Sequence, residues 1–237
     1  MRFLFLQFDS TDGPQRLGTG LERLGARCDL ARLFAGESIP ALDAYDSLIL
    51  MGGSMNAEDD EHFPYLRDAV ATLRQAQHLQ LLTLGVCLGG QLLARSLGVR
   101  IFQKEKTEVG YFPVDLTPDG QADPLFRGLS NPFMTLQWHE DAFTLPEGAT
   151  ALADSPRDTL QAFRYGRSYG IQFHPEPEPE MVASWTAGNG RYLENVATPT
   201  TPEALARQAI EVDGIFKAQT EQLCHNLVAL IPAGVPT

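Results

Sequence analysis

Cys87 lies in Gly85-Val-Cys-Leu-Gly89, and His174 in Gln172-Phe-His-Pro-Glu176. A thiol, an imidazole and a carboxylate are the residue types that cleave an amide by covalent catalysis: nucleophile, base, and the group that orients the base. The segment Leu81–Gly98 reads as an apolar strand, a glycine-flanked turn and a helix. That is the nucleophile-elbow arrangement, with cysteine where other hydrolases carry serine. Such a turn demands strained backbone angles at Cys87, and small neighbours let the chain double back on the sheet. A thiol at a helix N-terminus is stabilised as thiolate by the partial positive charge there. The same geometry aims the Leu88 N–H at a developing oxyanion. Most cysteines near tight turns are structural; the strand–glycine–helix frame favours the reactive alternative.

His174 follows the apolar strand pattern Tyr169–Phe173, which it is expected to close. In extended chain, residues i and i+2 point the same way, and Pro175 favours that form at His174. Glu176 is therefore expected to face with His174 and fix its tautomer. A strand-end histidine exposed by accident is the plain alternative. A metal site built from His174, Glu176 and His139 has no ligand spacing behind it, and no metal or cofactor is expected.

The elements that must position these groups alternate in type through the first hundred residues. Strand patterns cover Arg2–Phe8, Ala26–Leu33, Ser47–Met51 and Leu79–Leu84, and helical spacing covers Gln15–Leu24, Pro64–His78 and Leu88–Leu97. This rhythm predicts an α/β fold, an open and mostly parallel sheet flanked by helices in a flavodoxin-like three-layer arrangement. Strand patterns then dominate: Val99–Leu116, Met134–Trp138, Thr150–Asp154, Thr159–Tyr165 and Tyr169–Phe173 read as a β-rich, antiparallel extension. Helical patterns return at Pro179–Ala187 and Pro202–Leu230, the latter with an apolar stripe of Leu205, Ala209, Val212, Phe216, Leu223 and Leu227. One domain over 1–237 is expected, with a core to about 187 and a helical cap over 188–237.

Bulk properties narrow the partners. The 237 residues carry 18 Lys+Arg against 30 Asp+Glu, with no basic cluster, so nucleic acid is excluded as a partner. Three scattered cysteines make no disulfide framework and suit reduced thiols in a cytoplasmic protein. The N-terminal apolar run is too short for a signal segment, and no stretch approaches the roughly 20 apolar residues that span a bilayer. The acidic run Glu58–Glu61 reads as a solvated loop.

Gly85-Val-Cys-Leu-Gly-Gly-Gln91 together with Gln172-Phe-His-Pro-Glu176 resembles the class I glutamine amidotransferases, the Cys–His–Glu triad family. The stand-alone, GMP-synthase-like subgroup is the nearest, through Leu50-Met-Gly-Gly-Ser-Met-Asn56, Glu108-Val-Gly-Tyr-Phe112, Trp138-His-Glu-Asp141 and Gln161-Ala-Phe-Arg-Tyr165. The likeness runs from about Arg2 to Met181. It implies that Cys87 attacks the γ-carboxamide of glutamine, that His174 and Glu176 complete the triad, and that Gly53 and Leu88 donate backbone N–H groups to the oxyanion. It implies further that Gln91 contacts the bound glutamine and that Glu108 and His139 line the cleft. Gly90 departs from the family's usual histidine and Glu140 from the subgroup's glycine.

Three readings follow. The first is a glutamine amidotransferase that supplies ammonia to a separate synthetase, since the chain carries no P-loop and no Ser-Gly-Gly-x-Asp-Ser loop. The second is a γ-glutamyl peptidase or hydrolase using the same chemistry on another amine. The third is a non-catalytic binding protein of the intracellular-protease/chaperone superfamily, where a histidine or small residue commonly follows the elbow cysteine; here Leu88 does.

Overall fold

The computed structural model describes residues 1–155, 160–187 and 193–232. Its strands are β1 (Arg2–Gln7), β2 (Arg27–Arg32), β3 (Ser47–Leu50), β4 (Leu82–Val86), β5 (Phe102–Leu116), β6 (Phe133–Ala142), β7 (Thr150–Asp154), β8 (Ala162–Tyr165) and β9 (Ser168–Ile171). Its helices are α1 (Gln15–Arg23), α2 (Tyr65–His78), α3 (Leu88–Ser96), the short α4 (Pro118–Ala122), α5 (Pro179–Thr186) and α6 (Pro202–Leu230).

The strands form one sheet in the order β2-β1-β3-β4-β9-β8-β7-β5-β6. The first five of that order run parallel, and every pairing beyond β9 is antiparallel. The expected mostly parallel sheet with an antiparallel extension is what the chain builds. Because side chains alternate across a strand, β1 feeds two cores. Phe3 and Phe5 pack with Leu17 and Leu21 of α1 and Leu223 and Leu227 of α6; Leu4 and Leu6 pack with Leu66 and Leu73 of α2 and Leu92 of α3. Each such side chain contributes about 1.5–3 kcal/mol when fully buried. Both faces of the parallel half are covered, which explains its unbroken apolar strands.

The chain passes from β1 to β2 on one side and then to β3 on the other, so the sheet's switch point lies between β1 and β3. Crevices for ligands open at the carboxyl ends of strands at such a point. The loops that follow β1 and β3 are Phe8–Pro14 and Met51–Pro64, and the β4–α3 turn lies beside them. The antiparallel half curls back on the same edge: β6, last in strand order, meets the chain beyond β9 through a bridge between Leu136 and His174.

Several expectations need correction. His174 does not close β9, which stops at Ile171; its N–H donates to Leu136 O at 2.9 Å, so β6 holds it in place. The strand expected from Leu79 begins at Leu82, because Leu79 and Gln80 (φ +53°) end α2. Between β5 and β6, where no strand was expected, Thr117 accepts from the Gly120 N–H at 3.0 Å and caps α4. The acidic run is not merely solvated. Asp60 takes both Arg95 (2.7 Å to Nη1) and Arg67 (3.2 Å), and Glu58 accepts from the Ile101 N–H at 3.1 Å, so the loop is tied to α3 and to the chain after it. Helix α6 buries Leu205, Ala209, Phe216, Leu223 and Leu227 of its expected stripe, with Val212 half-buried. The expected start of the cap, at 188, lies outside the described residues. Among the described residues no helix is long and apolar enough to cross a membrane.

Candidate active site

Cys87 occupies the turn between β4 and α3 with φ +49° and ψ −107°, outside the regions that non-glycine residues favour. Such a backbone costs of order 1–3 kcal/mol and persists only where its surroundings enforce it. They do so here: the Cys87 N–H donates to Ile171 O (2.9 Å), the Gly89 N–H to Met51 O (3.2 Å) and the Gln91 N–H to Cys87 O (3.0 Å). The helix enters against the sheet backbone. A Cβ at Gly89 would lie 2.3 Å from Leu50 O, and one at Gly90 2.6 Å from Ile171 O. That packing accounts for glycine at 90, where a histidine would force α3 away from β9.

The Cys87 sulfur lies 3.8 Å from Trp138 O and accepts from Gln172 Nε2 at 3.7 Å. His174 Nδ1 donates to Glu176 Oε1 at 2.7 Å, and Cys87 is near enough to act on the protonation of the ring. All three side chains are buried. Burial alone would lower the His174 pKa. Negative charge on Glu176 and at Cys87, with the hydrogen bond to Glu176, outweighs it and holds the imidazole well above its ordinary value. The other two cysteines differ: burial pushes Cys28 up to about 11 and Cys224 up to about 12, so neither is a ready nucleophile near neutrality. Gly52 keeps the histidine in place by having no side chain, since a Cβ there would lie 2.8 Å from His174 Cε1.

The remaining sequence candidates divide. Gly53 and Leu88 abut beside Cys87; a Cβ at Gly53 would lie 2.8 Å from Leu88 Cδ2. As the first residue of α3, Leu88 has an N–H with no intrahelical acceptor. Gln91 is buried, its Nε2 donating to Asp141 O at 3.2 Å. His139 is buried at the cavity of Gln91 and Asp141, with Glu140 at the same wall. Glu108 is buried but lines neither cavity next to Cys87. It accepts from Lys104 Nζ at 3.0 Å and lies 3.5 Å from His139 Nε2. Burial raises the Glu108 pKa, and the contacts with His139 and Lys104 outweigh that and lower it.

Three further residues stand close by that the motifs did not indicate. Asp9 and Asp12, in the loop after β1, and Trp185, on α5, line a cavity with Cys87 and His174. The first loop of a parallel sheet, next to the switch point, is where such residues are to be sought. Trp185 carries no local signal; it arrives because α5 packs its ring 5.0 Å from that of His174.

The family model for class I glutamine amidotransferases matches residues 15–184. The glutamine amidotransferase-like protein YfeJ of Salmonella typhimurium is 32% identical over 187 residues, covering 77% of this chain and 78% of that protein. A glutamine-hydrolysing GMP synthase subunit from Ignicoccus hospitalis is 33% identical over 135 residues, covering 56% of this chain and 67% of that one. The chain also matches whole GMP synthases, of which it spans 24% to 33%. Among solved structures, a glutamine amidotransferase of Thermotoga maritima superposes with a TM-score of 0.87 at 26% identity, over 96% of this chain and 98% of that one. With the matched span covering most of its length, the chain belongs to the class I glutamine amidotransferases, enzymes that hydrolyse glutamine.

Proposed function

We propose that this chain hydrolyses the γ-amide of glutamine through a γ-glutamyl thioester on Cys87, releasing ammonia to a separate synthetase in the cytoplasm. One observation supports it above all others: Cys87 is held at positive φ at the head of α3, with the buried His174–Glu176 pair against its sulfur. The thiolate attacks the amide carbon, and the S–C bond forms as the carbonyl oxygen becomes anionic against the N–H groups of Gly53 and Leu88. The C–N bond then breaks as His174 gives its proton to the nitrogen. Water attacks the thioester, losing its proton to His174, and the C–S bond breaks to yield glutamate and the free thiol. Glu176 fixes the ring by its bond to Nδ1 and stabilises the imidazolium. Gln91 and the Trp138–Asp141 wall hold the glutamyl end, with His139 part of that wall and Glu108 behind it. The Ignicoccus hospitalis relative bears the name of a synthase component, which supports a separate partner.

Glutamate release measured on the purified chain tests this. Cys87→Ala is expected to lower kcat by about 10³-fold or more, and a glutamine-mimicking alkylator is expected to label Cys87 and spare Cys28 and Cys224. Full activity in the variant, or equal labelling of all three, removes the proposal. A second reading, hydrolysis of γ-glutamyl amides of larger amines, is favoured by the cavity of about 360 Å³ beyond Cys87 on the His174 side.

A further inference from the structure

Cys87 stands between two cavities. One, of about 430 Å³, is bounded by Gln91, Asn56, Gln103 and Asp141; the other, of about 360 Å³, by Asp9, Asp12, Trp138 and Trp185. His174 borders the second and not the first. We propose that the second cavity receives the leaving group and selects an amine that carries a second, positively charged nitrogen, as in the γ-glutamyl amide of a diamine. The inference rests on the Cys87 thioester chemistry proposed above and deepens its second reading.

The side follows from the proton. When the C–N bond breaks, the departing nitrogen must take a proton from His174, so it leaves toward the wall that His174 forms. Size comes next. Ammonia needs little more than the ~30 Å³ share of a water molecule, and this cavity is more than ten times that. A chain of several carbons fits it.

Charge decides the class. The residues lining this cavity include two carboxylates and neither lysine nor arginine, and the positive charge of the His174 ring is offset by its own partner, Glu176. Asp9 is held below the usual carboxylate range: burial raises it, but the Ser54 hydroxyl (2.6 Å) and the Thr11 N–H (3.1 Å) outweigh that. Those donors are neutral, so the charge is not cancelled. Asp12 is 92% buried (8% exposed), and its Oδ2 has no hydrogen-bond donor among the described residues. The Thr11 hydroxyl lies 3.1 Å from Asp9 Oδ1 and 3.3 Å from Asp12 Oδ1 and can donate to only one of them. A carboxylate buried at a cavity wall and short of donors is suited to an ammonium ligand. The indoles of Trp138 and Trp185, edge to face at 5.5 Å, add aromatic wall of the kind that attracts cations. An amino-acid leaving group would bring its own carboxylate against Asp9 and Asp12 and be repelled.

In the reaction, the S–C bond forms, the C–N bond breaks, the His174 proton goes to the departing nitrogen, and the second ammonium keeps its charge throughout. The test is kcat/KM on the purified chain for glutamine, γ-glutamyl-butylamide, the γ-glutamyl monoamide of 1,4-diaminobutane and γ-glutamyl-4-aminobutanoate. The diamine derivative is expected to exceed the butylamide at least tenfold, and the butylamide to exceed the aminobutanoate. Asp9→Asn, on a partly exposed loop, is expected to cut the diamine-to-butylamide ratio at least fivefold. Calorimetry on Cys87→Ser is expected to show binding of 1,4-diaminobutane and none of butylamine. Equal rates for the charged and neutral pair, a preference for the aminobutanoate, or no diamine binding overturns the inference while glutamine turnover leaves the Cys87 chemistry standing. Turnover of none of the four removes both.

Discussion

His174 with Glu176 and His139 with Glu108 are two buried histidine–carboxylate pairs that meet the same Trp138 wall, and they are built to opposite ends. In the first, one ring nitrogen is bound to Glu176 at 2.7 Å and the other is left to the Cys87 sulfur. Glu176 Oε2 is buried with no partner among the described residues, so its charge falls mainly on the ring. In the second, both ring nitrogens face oxygens of the protein: Nδ1 donates to Asp141 O at 3.0 Å, and Nε2 lies 3.1 Å from Gln137 Oε1. Glu108 shares its charge with Lys104, and Gln137 is itself held by Thr135 and Gln161 at 2.9 Å each. A saturated pair braces a wall. An unsaturated one keeps an edge free for chemistry, at some expense in stability.

The largest effect that tests this contrast is on turnover. His174→Ala is expected to lower kcat with glutamine about as far as loss of Cys87 does, about 10³-fold or more, because such residues act as a unit. His139→Ala is expected to change kcat less than fivefold and to act on KM, since the residue lines the cavity of Gln91. Steady-state kinetics on both variants decides it, and a His139 variant with kcat as low as His174→Ala would erase the distinction.

Removing the carboxylates should give smaller and separable effects. Glu176→Gln keeps a hydrogen-bond acceptor for Nδ1 but removes the charge that most raises the His174 pKa. The imidazole then loses its proton at lower pH, and the alkaline limb of the kcat/KM profile moves toward neutrality, with kcat down about 10–100-fold, in the range ascribed to general acid–base assistance. The same raised pKa stabilises the fold fully below the ordinary histidine value and ceases to do so as pH rises through the raised one, so Glu176→Gln also flattens stability above neutrality. Glu108→Gln is expected to leave the kinetic profile in place. Its depressed pKa contributes stability above the ordinary carboxyl value that is lost as pH falls through the folded one. The variant should therefore lose stability at pH 7, by about 1–3 kcal/mol, and the difference should shrink as pH falls below the ordinary carboxyl value. A shifted rate profile in Glu108→Gln would mean that the two pairs communicate.

These two pairs also mark how far the sequence could be read. The elbow was legible because it is local: a strand, a glycine-flanked cysteine and a helix lie within Leu81–Gly98, and all of its geometric demands fall on neighbours in the chain. The His174–Glu176 spacing was legible for the same reason, although the support was not. A bridge to Leu136 places His174, and no local pattern announces a contact between residues 38 positions apart. The β-rich half was readable as strands, while its curl back onto the parallel edge depends on long-range pairing. Glu108 and His139 were expected together in the cleft; they do lie together, but Glu108 faces Lys104 behind the wall. Asp12 and Trp185 were missed because neither belongs to a motif. Burial, which isolates Asp12, is a property of the folded chain alone.

Asp12 supplies the smallest and most diagnostic test of the contrast, because it sits on the unsaturated side. Burial, opposed by the charge on His174 and reinforced by Glu176 and Asp9, pushes its pKa from 3.8 up to about 6. The folded state thus binds this proton more tightly than the unfolded state does. Between pH 3.8 and about 6 the slope of stability against pH is negative, and above that range the folded chain carries a constant penalty. At about 1.4 kcal/mol per pKa unit the penalty has an upper bound of about 3 kcal/mol, which lost hydrogen bonding in a variant would reduce. Asp12→Asn removes the ionisation and should therefore be more stable than the parent at pH 7, by about 1–2 kcal/mol, or several degrees in Tm for a chain of this size. Near pH 3.5, where the parent's Asp12 is also neutral, the two should melt together. A residue whose removal stabilises the fold is one kept for the site and not for the structure. Equal melting at pH 7, or a gain that persists unchanged at pH 3.5, would show that Asp12 carries no such penalty.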